Sequence, residues 1–152
     1  MPREDRHIEI AERIMRLLKD NASGFKPFGQ GDIRYEDPDS RNVSYGIVVT
    51  PLGESETTGT NAQDDIGYRF LVRRGIQKSS TNDMAEARAK SQWRIAVRDI
   101  FHRKRIGIEC ELITKVVPGD HTAKRRYEAS NFDISAMIVT TWIRENRILN
   151  GA

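Results

Sequence analysis

The period of the hydrophobic positions changes repeatedly along this chain, and each change marks an element. Ile8, Ala11, Ile14, Met15 and Leu18 recur at helical spacing, with Ile10 and Leu17 widening the stripe, which predicts a helix over residues 6–21. Asp5 is suited to cap its start and Gly24 to stop it. Lys26-Pro27-Phe28 and Asp37-Pro38-Asp39 then resist helix, because proline lacks an amide donor and restricts the residue before it. Residues 25–43 therefore read as irregular, with one short strand around residues 32–35.

Period two follows over residues 44–74. Tyr45, Ile47 and Val49 point one way along one strand, and Ile66, Tyr68, Phe70 and Val72 do so along the next. Between them lies a polar run, residues 51–65, in which Leu52 is the one sizeable apolar side chain. Hairpin loops usually take about two to five residues, and longer ones tend to be functional. The run reads as an extended arm that reaches for a partner.

Helical spacing returns over residues 83–104, where Ala89, Trp93, Ala96, Val97 and Ile100 form a stripe with Phe101 beside it. Asp83 and Glu86 have capping-box spacing at its start, and Gly107 ends it. A strand over residues 109–117 places Cys110, Leu112, Thr114 and Val116 on one face, with Glu109, Glu111, Ile113, Lys115 and Val117 on the other. After a loop at 118–130, a last strand over residues 131–144 is apolar on both faces. Phe132, Ile134, Ala136, Ile138 and Trp142 line one face; Met137, Val139 and Ile143 line the other. Such a strand is central in its sheet or covered by a second layer. The order implies one α+β domain, residues 1–152: a mainly antiparallel four-stranded sheet with two helices packed on one face.

Composition refines this picture little. With 38% hydrophobic and 31% charged residues the chain is globular and not disordered, and its net charge of +3 permits nucleic-acid contact without announcing it. The single cysteine, Cys110, excludes an intrachain disulfide and a multi-cysteine metal site, and its apolar alternation predicts a buried thiol. No apolar run reaches the roughly 18–20 residues of a membrane-spanning helix. The charged start lacks a signal-peptide core, so synthesis in a cytoplasm is expected.

Candidate chemistry is sparse. His7, His102 and His121 are far apart and read as surface histidines. There is no Gly-x-Ser-x-Gly turn, no phosphate-cradling Gly-x-x-x-x-Gly-Lys-Ser/Thr loop and no Gly-x-Gly-x-x-Gly after a strand. A metal nuclease lacks its second acidic element, since no Asp or Glu is followed two residues later by Lys, and Glu109 with Glu111 alone make a poor magnesium site. No catalytic residue, metal or cofactor is expected. What remains is charge: Glu54, Glu56, Asp64 and Asp65 make the arm acidic, while Arg73, Arg74, His102-Arg103-Lys104-Arg105 and Lys124-Arg125-Arg126 are basic. The 102–105 run reads as a charged helix C-terminus. The acidic arm is expected to meet Lys124, Arg125 and Arg126 of a neighbouring copy, with opposite charges fixing the register.

The opening helix, the strand Tyr45-Gly46-Ile47-Val48-Val49-Thr50-Pro51 leading into Gly53-Glu54-Ser55-Glu56, its partner Gly67-Tyr68-Arg69-Phe70-Leu71-Val72, the long second helix and the final hairpin together resemble the tail terminator (tail-completion) proteins of long-tailed bacteriophages. Related neck proteins of the head–tail junction share much of this layout. The resemblance implies a virion protein without catalytic activity, made in the host cytoplasm. It would form a homo-oligomeric, usually six-fold ring that caps the tail tube, ends its polymerisation and meets the head-side connector. It also implies that DNA is met only in passing and that no membrane is involved. Leu52, Glu54, Glu56, Asp64, Asp65, Arg73, Arg74 and Lys124–Arg126 are the expected interface residues. A competing reading is a nucleic-acid-binding module that uses Lys124, Arg125, Arg126 and Arg103 on phosphate; its affinity would fall steeply with salt.

Overall fold

A computed structural model of the chain describes residues 6–21, 33–36, 46–58, 63–77, 83–119 and 132–146. The elements run α1 (Arg6–Asp20), β1 (Ile33–Tyr35), β2 (Gly46–Thr58), β3 (Gln63–Gln77), α2 (Asp83–Phe101), β4 (Glu111–Pro118) and β5 (Phe132–Asn146). The class is α+β, and the sheet has five strands in the order β1-β2-β3-β5-β4. It is mixed, not four-stranded and antiparallel, because the short strand in the proline-bearing segment adds parallel to β2, with Arg34 opposite Val48.

The two expected hairpins are present, and they join through one ladder between β3 and β5 that runs unbroken from Gln63–Asn146 to Gln77–Phe132. β5 therefore sits between β3 and β4, which accounts for its two apolar faces. The rows Val49–Val72–Met137 and Phe70–Val139–Val116 cross the sheet on one face. Ile10, Ile14 and Leu18 of α1 and Trp93, Val97 and Phe101 of α2 pack onto that face in a single core. Ile8, assigned to the α1 stripe by spacing, is 47% exposed. At 100° per residue it lies about a third of a turn from the line through Ile14, and Ile10 takes its place in the core.

The polar run at 51–65 is not an arm outside the sheet. Glu54 to Thr58 pair with Tyr68 to Asp64, so its described residues continue the hairpin ladder. Polar side chains hide a strand from hydrophobic pattern, while main-chain pairing is indifferent to them. Pro51 opposes Phe70 and Glu54 opposes Tyr68, so β2 carries one extra residue there, a β-bulge at the proline that lacks a ladder donor. β4 also carries a bulge, between Glu111 and Ile113. It ends the expected alternation, so Thr114 and Val116 are buried while Leu112 is only half-buried. Cys110 precedes the strand, exposed and at φ +64°, and not buried as its apolar neighbours implied.

Candidate assembly interface

The bulge in β2 decides where the acidic residues point. Before it, odd-numbered residues face the helices; after it, even-numbered residues do, because the extra residue shifts the alternation by one. Glu54 is thereby turned toward α1, where its Oε1 lies 2.8 Å from His7 Nε2. The His7 ring stands edge-on to Tyr68 and Phe70, with centroids 4.9 and 5.6 Å away. The Tyr68 hydroxyl donates to Glu145 Oε1 at 2.7 Å, and Arg6 Nε lies 3.9 Å from the same carboxylate oxygen. The start of α1 is thus fastened to β2 and to β5 through two carboxylates, and His7 is a structural partner, not a bare surface histidine.

Asp65 lies on the other sheet face and is held by Arg144 of the neighbouring strand, through Nε at 2.9 Å and Nη2 at 3.3 Å. The hydrogen bond from Arg144 lowers the Asp65 carboxyl below its usual range, and the same bond raises the Arg144 guanidinium. Asp64 pairs in register with Thr58 and Glu145, Glu56 with Ile66, and Leu52 is half-buried at the bulge. Arg73 and Arg74, expected at the interface, are buried within the chain; Arg73 reaches Glu36 at 3.4 Å. Lys124, Arg125 and Arg126 lie outside the described residues, as do His121 and the cap position Asp5.

The connection from α2 to β4 closes the outer edge of the sheet. α2 ends at Phe101, with its apolar stripe and short of the expected bound at residue 104, and Arg103 turns the chain at φ +57°. Arg103 N–H donates to Thr114 O at 2.7 Å and Thr114 N–H to Lys104 O at 3.0 Å. Val116 N–H donates to His102 Nδ1 at 2.9 Å. An imidazole nitrogen that accepts a bond carries no proton, so the fold selects the neutral ring. Desolvation, with Arg98, Arg103 and Lys115 nearby, lowers the pKa of His102. Pro118 supplies no donor, so the edge offers few unpaired groups to a foreign strand. The 102–105 run, read from sequence only as charge, supplies main-chain edge pairing as well. Glu111, weighed as a metal ligand, instead accepts from the amides of Ile106 (2.8 Å) and Gly107 (2.7 Å).

Among the described residues no three His, Cys, Asp or Glu side chains gather closely enough to hold a metal ion, and no helix is long and apolar enough to cross a membrane. An open hollow of about 210 Å³ lies on the sheet face away from the helices, lined by Asp65, Leu112, Ile113, Lys115 and Trp142. Its acid is already bonded to Arg144, which leaves no nucleophile–base pair there.

One dimension distinguishes the molecule. β3 and β5 are 15 residues each, about 50 Å of ladder at roughly 3.3 Å per residue. Among the described side chains, those of β3 in the core under the helices run from Ile66 to Val72. No known protein family and no characterised protein matches the sequence.

Proposed function

We propose that this chain is a structural subunit of the head-proximal end of a phage tail, of the terminator kind, which closes into a ring with copies of itself. The ring ends tube polymerisation and joins the tail to the head-side connector. The observation that supports the reading is the length of the β3–β5 ladder, 15 residues on each strand and unbroken in register. Strands in globular domains usually run to about 3–10 residues, and a longer ladder makes a rigid plate against which further subunits can be seated. Copies of the same chain meet such plates side by side in a ring, and the last ring of the tube meets them below.

The described acidic and histidine groups act in the same sense, since each partner named above fastens one element to another instead of converging on a hollow. The latched β4 edge prevents uncontrolled strand addition, a requirement for a subunit that must stop at a closed assembly. Electron microscopy of the purified protein, alone and mixed with tail tubes lacking their terminal ring, tests this. Closed rings, or caps on tube ends that halt growth, are expected. A protein that stays monomeric and leaves tube growth unchanged refutes the reading.

A further inference from the structure

α2 carries a second surface that its packing does not use. Met84 and Ile95 are 62% and 55% exposed, and they share the face opposite Trp93 and Val97. Arg88, Ser91, Arg98 and Asp99 fall on that face, and all four are exposed. The charges there are mixed in sign. Among the described residues neither Arg88 nor Asp99 makes an ion pair. Lys104 Nζ donates to the main-chain oxygen of Asp99 and not to its carboxylate.

The two opposite charges are placed so that the face complements itself. Arg88 and Asp99 are 11 residues apart, about three turns and roughly 16 Å along the axis, so both lie on one flank of the line through Met84 and Ile95. A two-fold axis perpendicular to a pair of antiparallel helices reverses their direction but keeps each flank on its own side. With that axis level with the midpoint of Trp93 and Arg94, Arg88 of each copy comes level with Asp99 of the other, on the same flank. Ile95 then lies within about 5 Å of its own copy along the axis. Arg98, on the opposite flank, falls between the small Ala87 and Ser91 of the second copy, both exposed. Arg94 stands about a quarter of a turn off the contact line, at its rim.

We propose that the outer face of α2 pairs with the same face of a second copy of this chain, antiparallel and about a two-fold axis, with Arg88 of each copy meeting Asp99 of the other. Ile95 fills the centre, and the small side chains beside it let the helices approach to about 8–10 Å. The contact is isologous and closes at two copies. It goes beyond the assembly reading above and does not build the ring: it pairs single chains, or joins two rings face to face. Asp99 repels a phosphate backbone, which also gains nothing from the aliphatic Met84 and Ile95, so the face suits protein and not nucleic acid.

Sedimentation equilibrium on the full chain tests it with three variants. Arg88→Asp and Asp99→Arg each remove both bridges and bring like charges together, so each alone should pair roughly tenfold more weakly than the unmodified protein. Arg88→Asp/Asp99→Arg on one chain restores opposite charges at both places and should pair as the unmodified protein does. A folding defect in one single variant is not repaired by adding the other change, and circular dichroism of each variant checks this separately. In a Cys110→Ser background, Ile95→Cys should oxidise to a covalent dimer and Arg94→Cys should not. Single variants that pair as the unmodified chain does, a double variant as weak as the singles, or an unmodified chain that never pairs each overturn this contact. Caps on tail tubes, scored by electron microscopy, report the ring reading separately. If Arg88→Asp abolishes binding to a labelled DNA duplex with pairing unchanged, the face belongs to nucleic acid and the proposal is wrong.

Discussion

Replacing Tyr68 with Phe isolates the fastening between the hairpin and β5. The ring keeps its volume and its edge contact with His7, and only the hydroxyl that donates to Glu145 at 2.7 Å is lost. The Glu145 side chain is 5% exposed, so water cannot easily replace that donor, and Arg6 at 3.9 Å is beyond hydrogen-bond reach in this pose. A hydrogen bond to a buried charged group contributes about 1.5–3 kcal/mol. Arg6 still offsets part of the charge, so a loss of about 2 kcal/mol is expected. With a urea slope of about 2 kcal/mol/M, the unfolding midpoint should fall by about 1 M with the slope unchanged. A double-mutant cycle with Glu145→Gln should give a coupling of about 1 kcal/mol or more, since the second change removes the charge that the hydroxyl serves. A shift under about 0.5 kcal/mol, or additive single changes, refutes this account of the cluster.

Three further outcomes follow from the α2–β4 connection. The folded state lowers the His102 pKa below its ordinary 6.5, through desolvation and then Arg98, Arg103 and Lys115. Between the folded value and 6.5 the unfolded chain binds more protons, so this contribution is complete above pH 6.5 and declines as pH falls below it. Urea midpoints measured from pH 8 to pH 5 should drop for the unmodified chain and drop less for His102→Gln; parallel curves refute the bond to Val116. Gly107 sits at φ +91°, and an added Cβ would lie 2.9 Å from an Arg13 guanidinium nitrogen. Gly107→Ala should therefore cost about 1–2 kcal/mol in the same denaturation assay, and a neutral result means the turn is not held as described. Cys110 is exposed, so a maleimide should label the folded protein about as fast as the urea-unfolded one; strong protection in the folded state contradicts that placement.

Both helices were legible to within a few residues because amphipathic spacing is a local property. Trp93, Val97 and Phe101 announce a buried stripe whatever they pack against. The faces of β3 were legible for the same reason, since Tyr68, Phe70 and Val72 alternate without interruption. The polar half of the hairpin was not, because Glu54–Thr58 extend the ladder through main-chain bonds that side-chain hydropathy does not report. Nor was the burial of Arg73 and Arg74: charge in a sequence says nothing of the carboxylate that meets it, here Glu36 for Arg73.

By itself the chain determined its helices, the core faces of its strands and the α+β class, all set by periodicity over a few neighbours. Only tertiary structure decided that β1 joins the sheet, that β5 inserts between β3 and β4, and that two bulges turn Glu54 to His7 and Glu111 to its own loop. Register is a relation between distant segments, and one extra residue reverses every side chain beyond it. The charged residues that fasten this molecule are therefore placed by pairing and not by their own pattern.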